Sequence, residues 1–173
     1  LDPVEAPSPA LEAWLRAEHA LPAGFTRWAD ALAAGLSPAA PQAGPDDLAL
    51  LPYTSGTTGL PKGCMHTHRS VMHNAMASGI WGNGTPENVT LAVVPMFHIT
   101  GMVSVMHTTI LAGATLVIMP RWDRELAGRL ISRHRVTHWP CIPTMIIDLF
   151  ASPNYASFDL SSLRFATGGG AAM

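Results

Sequence analysis

Four aliphatic hydroxyls, three glycines and one lysine crowd into Tyr53-Thr54-Ser55-Gly56-Thr57-Thr58-Gly59-Leu60-Pro61-Lys62-Gly63. Glycine lets the backbone bend until several N–H groups face one anion. The hydroxyls add donors, and Lys62 adds a mobile positive charge of the kind that holds phosphate oxygens. The chemistry this suits is the grip of a polyphosphate. It is not the common phosphate loop G-x-x-x-x-G-K-[ST], because Pro61 precedes the lysine and Gly63 follows it. By composition alone the stretch also reads as a Gly/Thr surface loop between strands.

Two further places could carry chemistry. His98, in Pro95-Met96-Phe97-His98-Ile99-Thr100-Gly101, directly follows a β-branched run, so it stands where a buried strand ends and a helix opens. A ligand can be met there, although a helix-start histidine bonded to backbone fits the same pattern. Thr167-Gly168-Gly169-Gly170-Ala171 follows the last apolar run, where glycine allows backbone to approach a flat base. An ordinary strand-to-loop turn is the plainer alternative. His66, His68 and His73 have no cysteine or carboxylate at ligand spacing, so no metal site is assigned to them. Ser55 sits in Thr-Ser-Gly rather than G-x-S-x-G, which removes a serine-hydrolase elbow.

The elements that must position these residues follow from periodicity. Helices are expected over Pro9–His19 and Thr26–Ala34, then a Pro/Ala/Gly linker from Ser37 to Pro45. Leu48 to Pro52 reads as a buried strand, and Cys64-Met65-His66 as a second strand that makes the loop a hairpin tip. Thr67 should cap a helix from His68 to about Ile80, with Val71, Met72, Ala75 and Met76 inward. Strands are then expected at Val89–Val94, Thr115–Met119, Val136–Trp139 and Leu163–Ala166. Helices are expected at Phe97–Leu111, Arg124–His134 and Thr144–Ala151. Met102, Met106 and Met145 read as core on these helices, although methionine also suits an adaptable acyl pocket. Strands alternating with helices give an α/β fold: a mostly parallel sheet with helices on both faces. Ligands in such sheets sit at the carboxyl ends of strands, where both glycine-rich stretches are expected to fall.

Composition bounds the function. The 173 residues suffice for one domain with its own core. Charged residues make up only 13%, about half the usual share, and apolar residues 48%, so part of the surface is expected to be covered by more protein. A net charge of −2 gives no reason to expect nucleic acid or an anionic membrane as partner. Cys64 and Cys141, without a C-x-x-C, fit a reducing, cytoplasmic setting. No signal peptide is read at the N-terminus, and the absent initiator Met suggests a piece of a longer protein. The apolar tract from Gly101 to Pro120 is broken by His107, Thr108, Thr109 and Gly113-Ala114-Thr115, which favours helix plus strand over a membrane span.

The complete string from Tyr53 to Gly63 resembles the signature of the adenylate-forming (AMP-binding) enzymes: acyl- and aryl-CoA synthetases, luciferase-like proteins and peptide-synthetase adenylation domains. The likeness spans Asp46 to Met173 and is strongest to fatty acyl-CoA synthetases; residues 1–45 form a lead-in and linker. It implies ATP, magnesium and coenzyme A as cofactors. It implies that Thr54, Ser55, Gly56, Thr57, Thr58, Gly59 and Lys62 hold the ATP phosphates, and that Gly169, Gly170 and Ala171 lie against the adenine. Lys62, Thr57 and His98 are the implied catalytic set, and Phe97, His98, Gly101 and Met102 the implied contacts of the acyl substrate. Three family elements have no counterpart in these residues: the acid that holds magnesium, the ribose-binding aspartate and the small C-terminal domain with its lysine.

The expected activity of the parent protein is therefore activation of a carboxylic acid to an acyl-adenylate, with release of pyrophosphate and transfer to the thiol of coenzyme A. A fatty acid is expected first, because the helix at Phe97–Leu111 offers Met102, Val103, Val105 and Met106 without a charge. An aryl or amino acid comes second. A nucleotide-binding module without catalysis is the reading from a different class. The 173 residues alone are expected to be catalytically silent and to self-associate through uncovered sheet edges and helix faces.

Overall fold

The computed structural model describes residues 21–54 and 59–169. The expected helix at Pro9–His19, the loop residues Ser55–Thr58, and Gly170 and Ala171 lie outside them. The chain divides into two compact units, Leu1–Gln42 and Ala43–Met173. In the first, helix α1 (Trp28–Ala33) is shorter than the expected Thr26–Ala34. The chain leaves it through Gly35 at φ +59°, a left-handed turn that suits glycine.

The second unit opens with two small antiparallel ladders. Strand β1 (Leu48–Leu50) pairs with β4 (His66–Thr67), and β2 (Tyr53–Thr54) with β3 (Lys62–Gly63). The phosphate-type loop is thus a hairpin tip, as the sequence suggests. It stands on its own ladder, however, and not at the end of a parallel strand. Nor is β1 a buried strand: Leu48 is 51% exposed, because only one small strand covers it.

Helix α2 (His68–Trp81) begins where the Thr67 hydroxyl accepts the Ser70 N–H at 3.2 Å. It buries Val71 and Ala75, one turn apart, against Val103. Met72 and Met76, expected inward, remain exposed.

Four strands, β5 (Val89–Ala92), β6 (Thr115–Ile118), β7 (His138–Cys141) and β8 (Phe165–Gly168), form one parallel sheet in the order β6-β5-β7-β8. The connection from β5 to β6 holds a π-helix (Thr100–His107) continued by α3 (Thr108–Leu111). The helix expected from Phe97 therefore starts three residues later and with a wider turn. Helix α4 (Arg124–His134), capped by Asp123 accepting the Leu126 N–H at 2.8 Å, links β6 to β7. Helix α5 (Pro143–Phe150) links β7 to β8. The connections run one way from β5 to β6 and the other way to β7 and β8; the right-handed hand usual for parallel strands then puts helices on both faces.

Strand alternation separates the two faces. Leu91, Val93, Val136 and Trp139 form one core with Ala127, Leu130 and Ile131 of α4 and Leu149 of α5. Full burial of a side chain such as Leu91 or Ile131 is worth about 1.5–3 kcal/mol. The opposite face carries Thr90, His138, Pro140, Phe165 and Thr167, and is less tightly filled.

Candidate functional site

The ladder between β5 and β7 pairs only Thr90 with His138. Pro140, two residues on, has no N–H to extend it. The strand order reverses at this junction, and open parallel sheets offer a crevice at such a point. A cavity of about 670 Å³ lies there, on the Thr90–His138 face. Its mouth is at the carboxyl ends of the strands: Phe97 and His98 beyond β5, Cys141 and Ile142 at the end of β7, Gly168 and Gly169 at the end of β8. Its roof comes from the C-terminal end of α2 and from Thr100, Ser104 and Thr108 of the helical connection. These three hydroxyls recur every four residues along one side.

No Asp, Glu, Lys or Arg lines the cavity among the described residues. His98 is exposed at the mouth, and its Nδ1 accepts the Thr100 N–H at 3.2 Å. That bond leaves Nε2 as the donor of the neutral ring. The Cys141 thiol is 5% exposed, and burial pushes it up to about 11, so it stays protonated. Sγ lies 3.5 Å from the Thr167 carbonyl, an acceptor for the S–H.

The residues singled out from the sequence are distributed unevenly. Phe97 and His98 line the mouth, and Gly169 lies on the rim. A Cβ at Gly169 would meet nothing within 4 Å, so packing does not demand glycine there. Gly101 and Met102 do not line the cavity. Gly101 is buried against the Pro95 carbonyl, and Met102 packs with Val71, Ala75 and Val103 on the other side of the helix. Val103 and Val105 are buried, so the apolar stripe expected to face an acyl tail faces the core. Thr54 and Lys62 are exposed on the hairpin, outside the cavity wall, and Gly59 holds φ +114°, a value that suits glycine.

Sequence reading missed Thr90, Ser104, Thr108, His138 and Phe165. The signals existed: alternation along β5, β7 and β8, and hydroxyls spaced by four after Thr100.

The AMP-binding enzyme family model matches residues 4–173. The chain belongs to that family. Among curated relatives, 4-coumarate–CoA ligase 3 of Oryza sativa subsp. japonica is 38% identical over 134 residues, 75% of this chain and 24% of that protein. The long-chain-fatty-acid–CoA ligase of Bacillus subtilis (strain 168) is 36% identical over 129 residues, 73% of this chain and 23% of that protein. The chain thus spans about a quarter of the length of the curated relatives it matches.

Among solved structures, the inhibitor-bound N-terminal domain of FACL13 from Mycobacterium tuberculosis superposes with a TM-score of 0.71 at 34% identity. That match covers 97% of this chain and 44% of the other. ATP-bound MatB from Rhodopseudomonas palustris gives a TM-score of 0.70 at 28% identity, covering 79% of this chain and 27% of the other. For an AMP-binding enzyme the α/β architecture and the order of loop, histidine turn and glycine strand are as the sequence implies.

Proposed function

We propose that these residues form the phosphate- and acyl-binding part of an acid–thiol ligase, which activates a carboxylic acid with ATP and passes it to coenzyme A. The observation that carries this is the uncharged cavity at the β5/β7 junction, with His98 at its mouth. An uncharged tail fits such walls without leaving a buried ion unpaired. The carboxylate end would lie toward His98, whose Nε2 can donate to it. Lys62 and the hydroxyls from Thr54 to Thr58 suit the ATP phosphates, where fixed donors stabilise charge that develops as pyrophosphate leaves. Gly169, Gly170 and Ala171 suit the close approach of adenine. Thr57 belongs to the proposed catalytic set with Lys62 and His98. Magnesium, a reaction requirement by family likeness, has no ligand assigned among these residues.

The acid is alkyl or aryl in this reading, with an amino acid as the further alternative. The Bacillus subtilis relative favours a fatty acid. The 4-coumarate relatives and the hydroxyl row Thr100, Ser104 and Thr108 favour an aryl acid, and the methionine–valine stripe no longer argues for a fatty tail. A cytoplasmic setting and self-association of the isolated chain remain part of the proposal. Among the described residues no helix is long and apolar enough to cross a membrane. Acid-dependent exchange of pyrophosphate into ATP, measured on the intact protein with fatty, aryl and amino acids, tests the activity. Exchange with at least one class is expected. Silence with all three would overturn it.

A further inference from the structure

Among the described residues, Lys62 is presented by a ladder of two residue pairs, Tyr53 with Gly63 and Thr54 with Lys62, separate from the four-stranded sheet. So short a ribbon is marginal by itself, and what fixes its base decides where the lysine stands. Below it the Cys64 N–H donates to the Pro52 carbonyl at 2.8 Å, and β1 pairs with β4 through Leu50–His66 and Leu48–Thr67. β4 then runs without a break into α2. The first turn of α2 is tied back to the residues that precede β1. The His68 N–H donates to the Asp47 carbonyl at 3.1 Å, and the Arg69 N–H to the Pro45 carbonyl at 2.7 Å. Two donors that a helix start leaves without an internal partner are thus met by one short segment. Between those two carbonyls stands Asp46. Its Oδ1 accepts from Arg69 Nε and its Oδ2 from Arg69 Nη2, both at 2.8 Å, a fork-to-fork pair. The Asp47 carboxylate closes the same turn by accepting the Gly44 N–H at 2.6 Å.

The pair stands in solvent: the Arg69 and Asp46 side chains are 63% and 75% exposed. An exposed ion pair adds little to stability. A planar fork closed on a carboxylate adds direction instead, because both bonds form in one mutual orientation of the two groups. The Arg69 guanidinium holds the Asp46 carboxyl below the usual carboxylate range, so the pair is charged at neutral pH. Neither residue lines the cavity. We propose that Asp46 and Arg69 are positioning residues for the phosphate grip: their pair locks the first turn of α2 to the segment before β1 and so sets where β3 presents Lys62. The proposal rests on the reading of the hairpin as the holder of the ATP phosphates. Contact of Arg69 itself with a phosphate is the competing arrangement. It gives the opposite sign when Arg69 is released from Asp46.

The test is steady-state pyrophosphate exchange on the intact protein, with ATP and the acid varied in turn. Asp46→Asn keeps the size of the side chain and leaves Arg69 charged but without its fork-shaped partner. KM for ATP should rise by about three- to fivefold, the most an exposed pair supplies. The value of kcat and KM for the acid should stay within about twofold, with an unchanged urea midpoint. Asp46→Ala removes the same acceptors, so misfolding of one variant leaves the other to decide. Exchanging the pair, Asp46→Arg with Arg69→Asp in one protein, should return KM for ATP to within about twofold of wild type. General loss of local structure would not be rescued in that way. A KM for ATP that is unchanged or lower in Asp46→Asn overturns the proposal, the lower value because it shows a freed Arg69 meeting phosphate. So does an equal rise for ATP and acid, or an exchanged pair no better than the single variants. Each of these leaves the ligase reading standing. No exchange by wild type with any acid removes both.

Discussion

Gly101 is pressed against Pro95: a Cβ at Gly101 would lie 2.2 Å from the Pro95 carbonyl oxygen and 2.6 Å from that of Val94. Backbone cannot rotate away as a flexible side chain can. The turn from Pro95 to His98, closed by the His98 N–H on the Pro95 carbonyl at 3.0 Å, depends on that contact. Gly101→Ala should therefore cost about 1–3 kcal/mol of stability through overpacking. It should also displace His98 and reduce exchange activity. Urea unfolding and kinetics on one preparation check both effects, and an unchanged midpoint would show that the helix yields freely.

Glu125 carries an acid-sensitive contribution on the opposite side of the sheet. Its carboxylate accepts the Ser152 hydroxyl at 2.5 Å and the Asn154 amide at 3.0 Å. Those bonds, the Ser152 hydroxyl first, hold its carboxyl below the usual carboxylate range. A depressed folded-state value gives stability that is present above the unfolded value and lost as pH falls through the folded one. Ser152→Ala should destabilise at neutral pH, and the difference from wild type should shrink as pH falls below the ordinary carboxylate range. Unfolding midpoints across that range would expose a pH-independent difference, which would contradict this account.

Much of this fold is legible because period and caps agree. Arg124–His134 carries Ala127, Leu130 and Ile131 on one face, an Asp before it and basic residues in its last turn, and the helix has those bounds. Thr67 likewise announces α2. The site is legible where a motif is contiguous, as at Phe97–His98. It is not legible where a surface is assembled from alternate residues of three strands. His138 gives no sign from its neighbours that its ring meets Gly82, 56 residues away. Met102 misleads for a physical reason. An apolar residue on a two-sided helix can face either core or cavity, and here α2 packs on the methionine side.

The two cysteines should differ in reactivity. Cys141 is buried and held protonated, with its thiol up at about 11, whereas Cys64 is half-buried beside the hairpin. At about pH 8 only about one Cys141 thiol in a thousand is ionised. A maleimide should modify Cys64 first, and Cys141 at a rate that rises on opening of the cavity mouth. Mass mapping of the labelled peptides decides it. Equal rates in the folded protein would mean that the mouth opens far more than the packing around Cys141 suggests.

Lys62 and His98 should fail in different ways when replaced. Lys62 is exposed on β3, which pairs with Tyr53 and Thr54, and it does not line the cavity. Lys62→Ala should weaken ATP and pyrophosphate by at least about tenfold, about 1.4 kcal/mol, the loss of a charge-assisted contact, and leave acid binding nearly unchanged. His98 lies at the cavity mouth with Nδ1 occupied by the Thr100 N–H, so only Nε2 is available to orient a carboxylate. His98→Ala should slow acyl-adenylate formation more than the thioester-forming half, because orientation matters before the carboxylate attacks phosphorus. Single-turnover measurement of the two halves separates the cases. Equal losses for ATP and acid in the lysine variant would remove the phosphate assignment, and unchanged adenylation in the histidine variant would remove His98 from the chemistry.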